Sequence, residues 1–413
     1  MRLLWLDNES TAGEAPAWFW EKEKQESLKH LHTVLILAVA AAVLAVAPCA
    51  TQASWSFVMF DDSRSAFGFE SPGNAYPSDP GGTSSPFYDG TTRVSPLFTS
   101  VVAAIAKDST PIDFVLFPGD LICGCPQPTS SQYASILQGW SQMMSPLTSK
   151  GIPVYTLRGN QEILPGVNGA AGNSDAANVW RQNMPIPTAN SMTLDTNGAG
   201  TINDQTGLSY AFTHKGSLFI GLDQFATAAD GTTYSADMAF LNSQLAVPAN
   251  LRFVFQHAPI GDNNVSEQPS DAAAMEAALN DKAIADFSAH DHSYQRYAKA
   301  GYSFSQYVVG TAAAPQASPN TTNTNGQVLE AAIGGNAADS GPDGPNLGYL
   351  VVTVNDDNTI TTQFKELTEF LNPNSSVYSF DQVTVPEPSS TVLMLLGGTV
   401  VARWWRWRRQ HVA

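Results

Sequence analysis

The chain has 413 residues, of which 43% are hydrophobic, 10% are aromatic and only 14% are charged, and its formal net charge is -17. This length and apolar content are enough to bury a large core, either as one large domain or as two smaller ones. An acidic surface repels the phosphate backbone of nucleic acids, so the composition disfavours nucleic acid as a partner.

The N-terminal segment has the pattern of a secretory signal. Basic residues precede the apolar run TVLILAVAAAVLAVA, and the small residues Thr51 and Ala53 follow it. This order predicts cleavage before Ser54 and assigns residues 1–53 to a signal peptide and leader. The alternative, a permanent membrane anchor, is disfavoured because the apolar run is short for a membrane span.

Short apolar runs rich in β-branched and aromatic residues predict buried strands in the middle of the chain. In chain order they are SFVMF from Ser56, DFVLF from Asp113, PVYTL from Pro153, SLFIGL from Ser217 and LRFVFQ from Leu251. Two segments have helical spacing and composition, FTSVVAAIAK from Phe98 and DAAAMEAALNDKAIADF from Asp271. Strands that alternate with helices predict an α/β sheet.

Three polar stretches rich in Gly, Pro and Asn interrupt these elements. They are ESPGNAYPSDPGGTSSP from Glu70, GVNGAAGNSDAAN from Gly166 and QASPNTTNTNGQ from Gln316. Such composition predicts long loops, and loops of this length in a domain are usually functional or disordered.

Polar residues directly follow several of the predicted strands, at the carboxyl ends where open α/β sheets build their sites. SFVMF runs into Asp61 and Asp62, DFVLF into a Pro-Gly-Asp that ends at Asp120, PVYTL into a segment with Asn160, and LRFVFQ into His257. Taken singly, each of these residues also fits a turn or a cap. Their shared position at strand ends favours a common site.

A further segment, SAHDHSYQR, carries two histidines with one residue between them. Together with the strand-end residues they make six candidate metal ligands: Asp62, Asp120, Asn160, His257, His290 and His292. Six oxygen and nitrogen ligands suit two divalent or trivalent ions and are too many for one zinc. A carboxylate can bridge such a pair, and a water between the ions loses a proton readily and can attack phosphorus.

The C-terminal segment reads VPEPSSTVLMLLGGTVVARWWRWRRQ. A Pro-Glu-Pro precedes a short apolar run, and the Trp and Arg residues after it suit a membrane interface with the arginines on the cytoplasmic side. This arrangement resembles the PEP-CTERM sorting signal of Gram-negative bacteria. The resemblance implies that residues 385–413 form a sorting signal with a short transmembrane segment, which an exosortase-type enzyme cleaves during export.

The order of the motifs resembles the calcineurin-like metallophosphoesterases, and SAHDHSYQR is similar to the final block of purple acid phosphatases and their bacterial relatives. The resemblance runs from about Phe57 to LGYLVVTVNDDNTITTQF, which is similar to the closing β-hairpin of that fold. It implies a four-layer α/β/β/α sandwich over residues 54–384 and two bound metal ions, with Fe, Mn or Zn expected. It also implies two ligand sets that share Asp120 as a bridge: Asp62, Asp120 and His292 for one ion, and Asp120, Asn160, His257 and His290 for the other.

Three residues depart from the pattern of the family. Arg64 and Gln161 stand where the family usually has histidines, and Cys123 stands where purple acid phosphatases have a tyrosine. Arg64 either clamps a phosphate oxygen or pairs with Asp61. Gln161 can donate a hydrogen bond to phosphate but cannot deliver a proton to a leaving group. Cys123 is either a metal ligand or, with Cys125, part of a free or strained pair of cysteines near the site.

The functional expectation is an exported phosphohydrolase that cleaves phosphomonoesters or phosphodiesters with a metal-bridged hydroxide. The expected catalytic residues are Asp120, Arg64 and Gln161. The expected location is the periplasm, outer surface or extracellular matrix of a Gram-negative bacterium, with transient membrane association through the tail. The alternative is a degenerate member of the family that serves as a binding module of the surface matrix. The retained ligands favour the enzyme, whereas Arg64 and Gln161 favour the binding module.

Overall fold

The computed structural model describes residues 53–65, 92–124, 128–163, 172–188, 191–198, 204–225, 234–261, 269–315, 319, 327–334, 346–367 and 377–385. All of them lie in a compact unit that begins at Ala53. The predicted signal peptide and the predicted sorting signal lie outside the described residues, apart from Ala53 and Val385. No helix in the described ranges is long and apolar enough to cross a membrane.

The strands and helices are numbered in chain order. The strands are β1 (Trp55–Met59), β2 (Ile112–Phe117), β3 (Val154–Thr156), β4 (Met192–Leu194), β5 (Tyr210–His214), β6 (Ser217–Leu222), β7 (Arg252–Gln256), β8 (Ala285–Ser288), β9 (Tyr294–Lys299), β10 (Ser305–Val309), β11 (Gln327–Ile333), β12 (Gly348–Val354), β13 (Ile360–Leu367) and β14 (Val377–Val385). The helices are α1 (Phe98–Lys107), α2 (Ser130–Met143), α3 (Ser145–Thr148), α4 (Asn160–Ile163), α5 (Gly172–Asn183), α6 (Met238–Leu245) and α7 (Ala272–Leu279).

These strands form two sheets. One has six strands in the order β14-β13-β12-β1-β2-β3, and the other has eight in the order β11-β9-β10-β8-β7-β6-β5-β4. β1, β2 and β3 are parallel to one another, as are β6, β7, β8 and β10. Because parallel strands end at the same edge, each sheet gathers several carboxyl ends in one place.

The two sheets pack face to face through aromatic side chains. The fully buried ring of Phe57 on β1 contacts the rings of Phe219, Phe253 and Phe287 on the other sheet, with centroids 5.2, 5.5 and 5.7 Å away. Burial of one such side chain contributes about 1.5 to 3 kcal/mol. The alternation of a strand sends the next residue, Val58, to the opposite face, where it joins the core beneath the helices.

Helices cover the outer face of each sheet. Buried residues of α1, α2 and α5 pack on the six-stranded sheet, and buried residues of α6 and α7 pack on the eight-stranded sheet. The chain thus forms four layers, and the predicted α/β/β/α sandwich is confirmed. Local signals start the helices: Thr129 and Gln132 form a capping box at α2, and the Asp237 carboxylate accepts from the Phe240 N–H at α6.

Two of the predicted elements are wrong in part. The segment from Asp271 was expected to be helical to Phe287, but α7 ends at Leu279 and the rest leads into β8. Asp281 has a φ of 59°, a left-handed conformation that a helix cannot contain. The polar stretch from Gly166 was expected to be a loop, yet its residues from Gly172 onward begin α5. The stretch from Glu70 lies outside the described residues, as does most of the stretch from Gln316.

Candidate metal centre

The loops at the carboxyl ends of five strands bring the six predicted ligands together. On the six-stranded sheet, Asp62 follows β1, Asp120 follows β2 and Asn160 begins α4 after β3. On the eight-stranded sheet, His257 follows β7 and the two histidines of SAHDHSYQR follow β8. Both sheets therefore contribute to one site at their shared edge.

Three overlapping groups of side chains have ligand atoms within 4.8 Å of one another: Asp62, Asp120 and His292; Asp120, His257 and His290; and Asp61, Asp62 and His257. The first two correspond to the two sets implied by the family resemblance, with Asn160 beside the second. Asp120 is common to both, which is the arrangement that a bridging carboxylate requires. The third group adds Asp61, which was not among the expected ligands.

The carboxylate of Asp62 fits a metal ion because it is fully buried and no side chain among the described residues donates a hydrogen bond to either oxygen. Nε2 of His292 lies 4.0 Å from Oδ1 of Asp62. A buried carboxylate without partners is strongly unfavourable unless a cation or proton compensates it. A cation coordinated between Asp62 and His292 would satisfy both oxygens.

The side-chain amide of Asn160 faces a set of lone pairs. In one orientation its oxygen lies 3.2 Å from Nε2 of His257. In the opposite orientation its nitrogen donates to Oδ1 of Asp120 at 3.0 Å and to Nε2 of His257 at 3.2 Å. Without a cation, the nitrogen best satisfies these acceptors. With a cation among them, the amide oxygen would become a ligand, as the sequence predicts for Asn160.

Second partners orient two of the histidines. Nδ1 of His257 lies 3.4 Å from Oδ2 of Asp61, whose Oδ1 accepts from the Gly119 N–H at 2.9 Å. Nδ1 of His292 donates to the carbonyl of Pro315 at 2.7 Å. When one ring nitrogen donates in this way, the other presents its lone pair, so Nε2 of each histidine is available to a metal ion.

The backbone is strained at three of the six expected ligands. Asp62, Asp120 and His290 have φ angles of 63°, 45° and 67°, and such left-handed conformations of non-glycine residues cost about 1 to 3 kcal/mol each. Glycines make room beside two of them. A Cβ at Gly310 would lie 2.4 Å from Oδ2 of Asp62, and a Cβ at Gly159 would lie 2.3 Å from Oδ1 of Asp120.

Glu162 holds two of the site loops together. Its Oε2 accepts from the backbone N–H groups of Asp120 at 2.8 Å and Gly159 at 2.7 Å, and its Oε1 accepts from that of Ile122 at 3.1 Å. One buried carboxylate thus fixes the loop after β2 to the loop after β3. Burial, followed by the charge of Asp120, raises the pKa of Glu162 to about 8.

The protonation tendencies of the site also fit cation binding. Burial raises the pKa of Asp61, Asp62 and Asp120, and the charge of a neighbouring carboxylate raises it further for the first two. Burial holds the pKa of His257 and His292 well below the usual range of histidine. The low pKa of these imidazoles favours their neutral form, which ligates metals. A bound cation would stabilise the ionised form of the three neighbouring carboxylates.

Arg64 lies in the site. Its Nε lies 3.2 Å from Oδ2 of Asp120, the shared carboxylate, a pairing that was not among those expected. Gln161 is buried, and its side-chain oxygen accepts from the Gly124 N–H at 3.0 Å. Cys123 is buried and belongs to none of the three groups of candidate ligands found in the described ranges.

Sequence reasoning missed the roles of Asp61 and Glu162. The sequence signal for Asp61 is the pair of aspartates that follows β1, of which only Asp62 belongs to the expected ligand sets. The signal for Glu162 was an acid two residues after Asn160. Nothing in the local sequence shows that its partners are backbone N–H groups on another loop.

A two-sheet α/β sandwich with carboxylates and histidines at its strand ends defines a protein with a candidate dinuclear metal centre. Residues 95–294 match the model of the calcineurin-like phosphoesterase family. This part of the chain is therefore similar to the calcineurin-like phosphoesterases. No curated protein sequence matches the chain.

Two solved structures are similar to the chain in fold. A purple acid phosphatase from yellow lupin (Lupinus luteus) seeds has 15% identity and a TM-score of 0.52, over 81% of this chain and 54% of that one. PhoD has 11% identity and a TM-score of 0.52, over 83% of this chain and 71% of that one. This chain thus spans about half the length of the lupin phosphatase. At such identities the similarity concerns the fold alone.

Proposed function

We propose that this chain is an exported, metal-dependent phosphohydrolase that cleaves phosphomonoesters or phosphodiesters. The observation that carries the proposal is the fully buried carboxylate of Asp62, to which no side chain in the described part of the chain donates a hydrogen bond and which faces His292. Together with the lone pairs around Asp120 and Asn160, this arrangement fits a pair of metal ions.

Two ligand sets would hold these ions: Asp62, Asp120 and His292 in one, and Asp120, Asn160, His257 and His290 in the other. When bound, such ions supply Lewis acidity, which polarises a phosphoryl oxygen and lowers the pKa of an attacking water. Iron, manganese and zinc all suit ligands of this mixed oxygen and nitrogen type.

The residues around the ligands have separate tasks. Asp61 and the Pro315 carbonyl orient His257 and His292, and Glu162 fixes the loop that carries Asp120. Arg64 places a permanent positive charge beside Asp120, where it can offset the charge of a phosphoester. Gln161 offers no proton for a leaving group, so the site favours substrates whose leaving groups are stable as anions.

Export is proposed from the sequence of the two ends. The apolar N-terminal run predicts secretion, and the Pro-Glu-Pro segment predicts processing by an exosortase-type enzyme after transient membrane association. The proposed location is the periplasm, outer surface or extracellular matrix of a Gram-negative bacterium. A protease-protection assay on intact cells would test this location.

Metal content and hydrolysis test the enzymatic proposal together. The purified protein is expected to contain metal ions and to hydrolyse an aryl phosphate at a rate that chelation abolishes and added metal restores. Folded protein that neither retains metal nor binds added metal would overturn the proposal.

A second candidate is a binding module of the surface matrix that has lost catalysis. The pairing of Arg64 with Asp120 favours it, because a guanidinium at the shared carboxylate opposes a cation there. Metal-bound, folded protein without activity on aryl monoesters or diesters would favour this candidate over the enzyme.

A further inference from the structure

Arg64 lies against the carboxylate that both metal-binding groups share. Its Nε is 3.2 Å from Oδ2 of Asp120, and its side chain is only 11% exposed. The backbone fixes this approach, since the N–H groups of Ser63 and Arg64 both donate to the carbonyl of Asp120 at 3.1 Å. The contact therefore belongs to the packed loops of the site and not to a solvated surface.

The two oxygens of Asp120 face different partners. Oδ1 accepts from the Gln161 N–H at 3.0 Å and lies 3.3 Å from Nε2 of His257. Oδ2 is the oxygen that approaches Arg64. The side of Asp120 that faces His257 thus meets a backbone N–H group and an imidazole, whereas the other side has a guanidinium.

A guanidinium paired with a carboxylate and a metal ion bound to it are two positive charges beside the same oxygen, so each opposes the other. Arginine stays protonated under all conditions in which proteins fold, so it cannot relieve the competition by losing its charge. Burial strengthens the repulsion between two positive charges because the dielectric constant is low.

We infer that Arg64 makes the two metal positions unequal. The position formed by Asp120, Asn160, His257 and His290 takes the first ion. The position formed by Asp62, Asp120 and His292 takes an ion only when Arg64 releases Oδ2 of Asp120. This inference rests on the proposed metal-dependent function and adds the order in which the two metal positions are filled.

Stepwise metal titration of the full chain tests the inference without any measurement of activity. The protein is stripped with a chelator and titrated with Mn²⁺ and, separately, with Zn²⁺ in a calorimeter, and retained metal is counted after desalting. Wild-type protein is expected to bind one ion tightly and a second ion at least about tenfold more weakly. The substitution Arg64→Gln is expected to tighten the second step by about 10- to 100-fold, the range typical of groups that hold metal ligands.

Two further variants show whether the charge of residue 64 causes the inequality or whether loss of any arginine has the same effect. Arg64→Lys keeps the positive charge and is expected to retain two unequal steps. Arg252→Gln removes a guanidinium whose hydrogen bonds within the described residues go to the carbonyl of Val247, and it is expected to leave both steps unchanged. Thermal melting of each variant shows whether it is folded.

The outcomes distinguish this inference from the proposed function. Two equal steps in the wild-type protein, or a second step that Arg64→Gln leaves unchanged, would overturn the inference while the proposed function stands. Failure of the wild-type protein to bind either metal would overturn both. Unequal steps in the wild-type protein do not by themselves assign the difference to Arg64, so Arg64→Met, which also removes the charge, replaces Arg64→Gln if that variant fails to fold.

Discussion

The side-chain oxygen of Gln161 accepts a hydrogen bond from the backbone N–H of Gly124. Gln161 lies on α4, which follows β3, and Gly124 belongs to the loop after β2, so this bond joins two segments of the site in addition to the hydrogen bonds of Glu162. Oε1 of Gln161 is therefore bonded to the protein backbone. The residue acts on the shape of the site through these loops and has no acidic proton to give.

The first prediction concerns the leaving group. Aryl phosphates are expected to be hydrolysed far faster than alkyl phosphates, because a positioned general acid contributes about 10²- to 10⁴-fold and helps most when the leaving group is strongly basic. Steady-state rates over a series of leaving groups of increasing pKa measure this. Equal rates across the series would show that another group delivers the proton.

Gln161→Ala is the matched variant. It is expected to lower stability by about 1 to 3 kcal/mol, since the buried Gly124 N–H loses its acceptor. The preference for aryl phosphates should remain, because no proton donor has been removed. A changed dependence on the leaving group would assign Gln161 a direct catalytic role.

The second prediction concerns the shared ligand. Asp120→Asn is expected to weaken both metal-binding steps, because a neutral amide bridges two cations poorly, whereas His292→Ala should weaken mainly one. Metal content and calorimetry measure the difference. Asp113→Asn is the control, since Asp113 lies on β2, the strand that Asp120 follows, but pairs with His214 and Lys215. Full metal occupancy in Asp120→Asn would refute the bridge.

The third prediction concerns pH and a buried acid outside the site. Asp286 is fully buried on β8, where Nε2 of Gln256 donates to its Oδ2 at 3.5 Å, and burial raises its pKa to about 8. The folded protein then keeps a proton that the unfolded chain releases near the ordinary pKa of 3.8. Stability due to this group is present at low pH and falls by about 1.4 kcal/mol per pH unit as pH rises through this window.

Asp286→Asn should remove this dependence, because asparagine cannot ionise. As pH rises toward 8, the free energy of unfolding of the variant is expected to increase relative to that of the wild-type protein. Denaturant titrations of both proteins at several pH values measure this difference. Asp357→Asn, at a solvent-exposed turn, should show no such gain. Parallel curves for Asp286→Asn and the wild-type protein would mean that Asp286 is ionised in the folded state.

The fourth prediction concerns the C-terminal boundary. A chain that ends at Val385 is expected to fold, since β14 is then complete. A chain that ends at Leu367 loses β14, whose Asp381 accepts from Arg296 at 2.7 Å and from the Tyr294 hydroxyl at 2.8 Å. The shorter chain should therefore melt at a lower temperature. Equal melting temperatures would show that β14 contributes no stability.

Much of the site could be predicted because its residues lie immediately after strands. Asp62, Asp120 and His257 follow apolar runs whose strand character is evident from composition, and parallel strands bring such positions together. The partner of Arg64 could not be predicted in this way. Whether its guanidinium reaches Asp61 or Asp120 depends on how two loops distant in sequence pack, and no local pattern encodes that.

The strand β8 was hidden for a similar reason. Its sequence ADFS follows an alanine-rich helical segment and contains Asp286, a residue that strands disfavour. The pairing of β8 with β7 places Gln256 beside this buried aspartate, and its side chain donates a hydrogen bond to Asp286. The two histidines beyond it were nevertheless recognised, because their spacing in SAHDHSYQR resembles a known motif independently of the strand that carries them.

The assembly of the centre from both sheets restricts when the protein can acquire metal. Every candidate ligand group combines a carboxylate from the six-stranded sheet with a histidine from the eight-stranded sheet. In a chain still emerging from a ribosome or a translocation pore, none of the groups found in the described residues is complete until His257 has emerged and the sheets have docked. If the chain crosses the membrane unfolded, the ions that it takes up would be those of the compartment where it folds, and the metal supply there would decide which ions fill the site.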